Sequence, residues 1–213
     1  LPGMRGCMPT NAFDAKGMLI DSIFSNDPTI IIEHRSFFGL KGYVPEAPYR
    51  VEFGKSKIVK KGNDLTIVAI GFGIIETAKA AEKLKKDGIS VEIIDVRSLY
   101  PLDTKTIIKS VKKTGKMMLI DTGAYSGSIS SEIISEICIK HHSILKKPPI
   151  KIAMPDFPEP TSYGLTKNFY FDKIKIVKNI KKILNIKRKL KVENEIKKPI
   201  HHDIPGKWFT GPF

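Results

Sequence analysis

Four short stretches of this 213-residue chain carry residue types that can do chemistry, and each also has a plainer structural use. Gly71-Phe72-Gly73 follows an apolar run and opens a helical pattern, and Asp95 ends the next apolar run. That order matches a dinucleotide fingerprint, in which glycines admit a pyrophosphate and an acid binds ribose. The third glycine position is Glu76, whose carboxylate would crowd the helix N-terminus where the pyrophosphate should sit. A tight strand-to-helix turn is therefore expected. Asp121-Thr122-Gly123 matches the aspartic-protease triplet, but that chemistry needs two carboxylates sharing a proton, and the triplet occurs once. A strand end feeding a helix through Gly123 and Gly127 is expected instead. Its place at the carboxyl end of a strand leaves the loop a binding or interface role. His141-His142 and His201-His202 are metal-capable, yet adjacent histidines on one helix point to different sides and cannot both face one ion, so surface or helix-end histidines are expected. The fourth stretch, Ser22 to Asp27, closes a helix whose last carbonyls lack helical partners. Converging oxygens of this kind can hold a monovalent cation, with water at a frayed helix end as the competing partner. There is no Gly-x-Ser-x-Gly elbow and no Cys-His nucleophile pattern.

The elements that would position these residues alternate between strand and helix. A short apolar segment, Gly6-Cys7-Met8, stops at Pro9-Thr10-Asn11, and Asn11 or Thr10 can cap a helix with Asp14 in its first turn. Asn26-Asp27-Pro28 ends that helix, and the β-branched run from Thr29 to Ile32 fits a buried strand. From Phe37 to Tyr49, Gly39, Gly42, Pro45 and Pro48 prevent regular structure. This stretch reads as a linker anchored by Phe37, Phe38, Tyr43 and Tyr49. Beyond Lys57, strands are expected at 65–70, 91–96, 117–120 and 150–153, with helices at 74–86, 103–113, 128–140 and 172–186. The alternation argues a mostly parallel sheet covered on both faces. The Lys-rich stretch after Ile186 is expected to be an extended tail. Its aromatic end, with Trp208, Phe209 and Phe213, is expected to pack on a neighbouring surface.

Composition narrows the function classes. Apolar residues make up 41% and charged residues 27%, an ordinary globular balance. The net charge of +14 invites nucleic acid or an acidic membrane as partner. The excess Lys is concentrated from Lys173 to Lys198 without interleaved aromatics, and no recognition-helix or zinc-finger spacing occurs, so neither nucleic acid nor membrane is expected. No apolar run is long enough to span a bilayer. Two cysteines, Cys7 and Cys138, are expected to be free thiols in a reducing cytoplasm. Leu1-Pro2-Gly3 lacks signal-peptide features and leads at once into a folded pattern, so the sequence is expected to start inside a longer chain.

In combination the motifs resemble a known family. Met8-Pro9-Thr10-Asn11-Ala12-Phe13-Asp14-Ala15-Lys16-Gly17 and Asn26-Asp27-Pro28 with Ile32-Glu33-His34 resemble the end of the pyrimidine-binding domain in the beta chain of thiamine-diphosphate-dependent 2-oxo acid dehydrogenases. Gly42-Tyr43-Val44-Pro45-Glu46 resembles that family's linker. Leu65 to Ala69, Ile94-Asp95-Val96-Arg97-Ser98-Leu99, Pro101-Leu102-Asp103 and Asp156-Phe157-Pro158-Glu159-Pro160 resemble its C-terminal, transketolase-like domain. The resemblance runs over roughly residues 1–184. It implies an α/β fold in four parts. Residues 1–36 would be the end of a pyrimidine-binding domain, 37–56 a linker, 57–186 a transketolase C-terminal-like domain, and 187–213 a basic tail.

The same resemblance implies oxidative decarboxylation of pyruvate or a related 2-oxo acid, with acyl transfer to a lipoyl group. Alternatives are a stand-alone two-subunit thiamine-dependent ketol- or acyl-transferase and a non-catalytic assembly module. Thiamine diphosphate with Mg²⁺ would be shared with an alpha subunit, in an assembly of two alpha and two beta chains. A lipoyl acyltransferase core is a further implied partner, although the basic tail would repel its small basic docking domain at low salt. The catalytic residues are expected upstream of Leu1, so none is assigned, and Glu33 and His34 are not substitutes. The family's monovalent-cation ligands, backbone carbonyls suited to K⁺, correspond to Ser22, Ile23, Ser25 and Asp27.

Overall fold

A computed structural model describes residues 2–167 and 169–195. The first elements are β1 (Arg5–Cys7), α1 (Ala12–Ile23) and β2 (Thr29–Ile31). Asn11 caps α1 as expected, accepting a hydrogen bond from the Asp14 N–H at 2.9 Å. β1 and β2 are parallel. A linker without strands or α-helices follows, apart from one 3₁₀ turn at Arg35–Phe37. It stays against α1 because residue 17 is glycine. A Cβ there would come within 2.4 Å of Val51 Cγ2, and the Val51 N–H donates to the Gly17 carbonyl at 3.1 Å. Of the four expected aromatic anchors, Tyr49 stacks on Phe13 at 4.4 Å and Phe37 leans on His34 at 5.3 Å. Phe38 and Tyr43 are instead exposed.

The larger unit contains β3 (Lys57–Lys60), β4 (Leu65–Ala69), α2 (Gly73–Leu84), β5 (Val91–Asp95), β6 (Ser98–Tyr100), α3 (Thr104–Thr114) and β7 (Met117–Ala124). It continues with α4 (Ile129–Lys140), β8 (Ile150–Met154), α5 (Tyr163–Thr166), α6 (Lys173–Leu184) and α7 (Lys191–Glu195). Five strands form one sheet in the order β3-β5-β4-β7-β8, parallel except for β3. Every residue of β4 and β5 is buried, as strands covered on both faces must be. Leu65, Ile67 and Ala69 meet α2, α6 and α7 on one side. Val68 and Ile70 meet Ile107 and Val111 of α3 and Ile133 and Ile137 of α4 on the other. The expected α/β architecture, a mostly parallel sheet between helices, is what forms.

Two strands were not anticipated from the sequence. Lys57-Ile58-Val59-Lys60 is an antiparallel edge strand whose first three residues are all exposed, so it carries no inward-outward alternation, and its lysines suit an unpaired edge. Ser98–Tyr100 is three residues long and pairs antiparallel with β1, which ties the N-terminal segment to the larger unit in a sheet of order β2-β1-β6.

The expected extended tail is corrected for residues 187–195, which pack on the domain. Leu190 and Val192 are each 1% exposed and enter the core beside α2 and α6. Asp87 fixes them, accepting the Lys191 N–H at 2.8 Å and the Val192 N–H at 3.0 Å, while Arg188 donates to its carbonyl at 2.8 Å. The aromatic end and His201-His202 lie outside the described residues.

Candidate functional site

The two sheets meet at a polar cluster built from both. Asp14, in the first turn of α1, is fully buried and pairs with Arg97 Nη1 at 2.8 Å. Arg97 holds a left-handed backbone, φ 41°, a conformation costly for a side-chain-bearing residue, and its Nε donates to the Lys55 carbonyl at 2.8 Å. Asp95, at the end of β5, accepts the Thr10 hydroxyl and the Arg97 N–H. Burial pushes the Asp95 carboxyl up to about 6 against those bonds, with the nearby Asp14 charge adding to the rise. Asp95 is therefore the join between the N-terminal segment and the sheet, with both oxygens engaged. The reading of Asp14 as a dipole partner alone was incomplete, because its ion pair to a residue 83 positions later leaves no local signal.

The glycine motif behaves as the expected turn. A Cβ on Gly71, whose φ is 56°, would strike Met8 at 2.6 Å, and one on Gly73 would strike Ile120 at 2.7 Å. Both glycines are filled by neighbours, so no phosphate cradle is open there. Glu76 is buried in the first turn of α2, 3.5 Å from Lys79. Asp121 likewise serves structure. One of its oxygens takes the Gly123 N–H at 2.9 Å and the other takes the Ser130 N–H at 3.1 Å, capping α4 from the neighbouring strand. The loop after it is tied down by Asp156, which accepts the Ser126 N–H and hydroxyl, each at 2.7 Å. His141 ends α4 and His142 begins the next 3₁₀ turn, so they serve as helix-end residues.

The four expected cation ligands span the last two residues of α1 and the turn from α1 to β2. The Ser25 N–H donates to the Ser22 carbonyl at 3.1 Å, the Asp27 N–H to Ser25 Oγ at 3.1 Å, and the Thr29 hydroxyl to the Asp27 carbonyl at 3.2 Å. The Ser25 side chain is thus used inside the turn. The Ser22 carbonyl also accepts the Phe24 N–H, so the helix end and the turn already use that oxygen. No group of three or more His, Cys, Asp or Glu side chains suited to a metal occurs among the described residues.

A hollow of about 180 Å³ opens at the carboxyl ends of the parallel strands β1 and β2, the usual ligand side of such a sheet. Thr10, Asn11, Glu33, His34, Phe37 and Phe38 line it. His34 Nδ1 accepts the Ser36 N–H at 3.3 Å, and its ring stacks on Phe72 at 5.5 Å. Burial lowers the His34 pKa below its ordinary value, with Glu159 opposing. The hollow is smaller than the roughly 300 Å³ at which pockets begin to enclose a cofactor-sized ligand. It could contribute a wall, not a complete coenzyme site.

The chain matches the model of the transketolase C-terminal domain over residues 54–176. The pyruvate dehydrogenase E1 component subunit beta of Bacillus subtilis is 38% identical over 162 residues, covering 76% of this chain and 50% of the relative. The subunit of the same name from Staphylococcus epidermidis is 36% identical over 156 residues, covering 73% and 48%. The beta subunit of acetoin:2,6-dichlorophenolindophenol oxidoreductase from Cupriavidus necator is 36% identical over 162 residues, covering 76% and 48%. The chain thus spans about half the length of the curated relatives it matches. Among solved structures, a split gene transketolase described as an inactive beta4 tetramer superposes with a TM-score of 0.71 at 24% identity, covering 88% of this chain and 59% of the other.

Proposed function

The chain belongs to the transketolase C-terminal domain family, and on that premise we propose that it is the C-terminal part of the beta subunit of a thiamine-diphosphate-dependent 2-oxo acid dehydrogenase. The observation that carries this reading is the similarity to beta subunits at 36–38% identity, over stretches longer than the family's domain. In this reading residues 1–36 end a pyrimidine-binding domain, residues 37–56 are the linker, and the domain from residue 57 is the assembly domain. An alpha subunit is the expected partner, with two copies of each chain, and the reducing cytoplasm suits the free thiols Cys7 and Cys138. Exposed apolar side chains at Leu19, Ile23, Phe24 and Ile30, on α1, its end and β2, support a partner on that side.

Thiamine diphosphate, when bound, supplies an electron sink for the carbanion left by decarboxylation. Mg²⁺ would hold its diphosphate on the alpha chain. The hollow by Thr10 and His34 is too small to enclose the coenzyme, so no step through it is derived from this chain's residues. What this chain contributes is a braced frame: Ser22, Ile23, Ser25 and Asp27 would hold K⁺ through their carbonyls and fix the turn between α1 and β2. If they do, melting in KCl will occur above melting in NaCl at equal ionic strength, and identical curves would remove the site.

The function is tested by joining this chain to a pyrimidine-binding segment and an alpha chain, then assaying 2-oxo acid decarboxylation with and without a lipoyl domain. Decarboxylation with acyl transfer to lipoyl is expected. Decarboxylation that never reaches lipoyl would favour the stand-alone transferase and remove the lipoyl core as a partner. Pyruvate and acetoin are the first substrates to try, since relatives named for each match equally well.

A further inference from the structure

Helix α6 has a surface that its own stability does not favour. Its sequence, Lys173 to Leu184, holds five lysines and no acidic residue. Lys173 and Lys175 stand in the first turn, at the positive end of the helix dipole, with the Asp172 cap as the opposing charge. Lys175, Lys178 and Lys182 recur at i, i+3 and i+7 and are all exposed, so like charges line one stripe. The crowding reaches α2, where burial first and the Lys173 charge besides hold the Lys79 pKa below its ordinary value, with Glu76 opposing. A local rule broken this consistently, with no gain to the fold, marks a surface kept for a partner.

The stripe borders a groove of about 1150 Å³. Its apolar lining is Val177 with the half-buried Ile174 and Ile186, and Lys175, Lys178 and Lys182 give it a cationic rim. Glu193 of α7 does not neutralise that rim, because it is occupied elsewhere. It pairs with Lys181 Nζ at 2.9 Å and accepts the Leu190 N–H at 2.7 Å. We propose that this groove binds an acidic amphipathic helix of a partner protein. Lysines on the rim match acidic side chains at the flanks of such a helix, and the apolar lining matches its apolar stripe. The lining argues against nucleic acid, whose phosphate backbone offers no apolar complement. An anionic membrane is disfavoured too. None of the large exposed apolar side chains among the described residues lies on α6 or α7, so nothing there would insert. A second copy docking through the same face would bring the same positive stripe and be repelled.

The test uses the 213-residue chain and a labelled peptide of about four helical turns, with leucines at i, i+3, i+4 and i+7 and glutamates elsewhere. Fluorescence anisotropy should show saturable binding that weakens as salt is raised. Combining Lys175→Glu, Lys178→Glu and Lys182→Glu should weaken it about tenfold or more. Combining Lys105→Glu, Lys109→Glu and Lys112→Glu, exposed on α3 across the sheet, changes the net charge equally and should leave the affinity within about twofold. The α6 triple should melt no lower than the α3 triple, because it removes like-charge crowding. No saturable binding, equal loss from the two triples, or a lower melting temperature for the α6 triple would overturn the proposal. So would equal affinity for a scrambled peptide of the same composition, which would leave charge as the sole attraction. Tighter binding of a single-stranded oligonucleotide or of phosphatidylserine vesicles through the same lysines would overturn it by assigning the surface to another polyanion. Self-association that the α6 triple abolishes would overturn it by assigning the groove to a second copy.

Discussion

Asp95 ties the N-terminal segment to the main sheet, and its environment has a measurable consequence. Burial holds its folded pKa up at about 6, above the ordinary aspartate value of about 3.9. A raised carboxylate stabilises the fold fully below the unfolded pKa, and that stability is lost as pH rises through the folded value. Wild type should therefore lose up to about 3 kcal/mol between pH 4 and pH 7 from this group. Asp95→Asn should flatten that part of the profile, as read by urea denaturation at a series of pH values. Gly17 offers a second residue-scale test. Gly17→Ala places a methyl group 2.4 Å from Val51 and 2.8 Å from Tyr49, so overpacking should outweigh the helix propensity gained and cost about 1–3 kcal/mol. Neither role was legible in the sequence. A glycine inside a helix signals only weak propensity there, and Asp95 reads as the end of an apolar strand until Thr10 is brought beside it.

At the scale of elements, the C-terminal clasp decides where the domain ends. Leu190→Ala should cost about 2–5 kcal/mol, the usual range for a buried leucine, whereas a tail residue would cost almost nothing. Asp87→Ala should strip hydrogen-exchange protection from the Lys191 and Val192 amides while leaving those of β4 protected. Burial alone would raise the Asp87 carboxyl, but those amides and Arg188 outweigh it and hold it below the usual carboxylate range. The clasp should thus persist to more acid pH than an ordinary carboxylate interaction and loosen as pH falls through that lowered value. The central strands and long helices were legible because each is a long apolar run or a clear 3.6-residue pattern with a cap, as at Asn11 and Asp103. β3, β6 and α7 were not legible. They are three to five residues long, and their pairing or burial depends on partners far along the chain.

At the scale of the molecule, a five-stranded sheet carries a small three-stranded one through the β1–β6 pairing and the Asp14–Arg97 ion pair. The motifs that look catalytic by spelling, Gly71 to Gly73 and Asp121 to Gly123, are spent on packing and capping. Function was legible only through the resemblance of whole segments, and under the proposed function the coenzyme would lie between this chain and others. The most direct test is thiamine diphosphate binding by calorimetry, with Mg²⁺, to an alpha chain combined with this chain joined to its pyrimidine-binding segment. Saturable binding in the pair, absent from the alpha chain alone, is the predicted result. A pair that assembles yet binds no thiamine diphosphate would contradict the account.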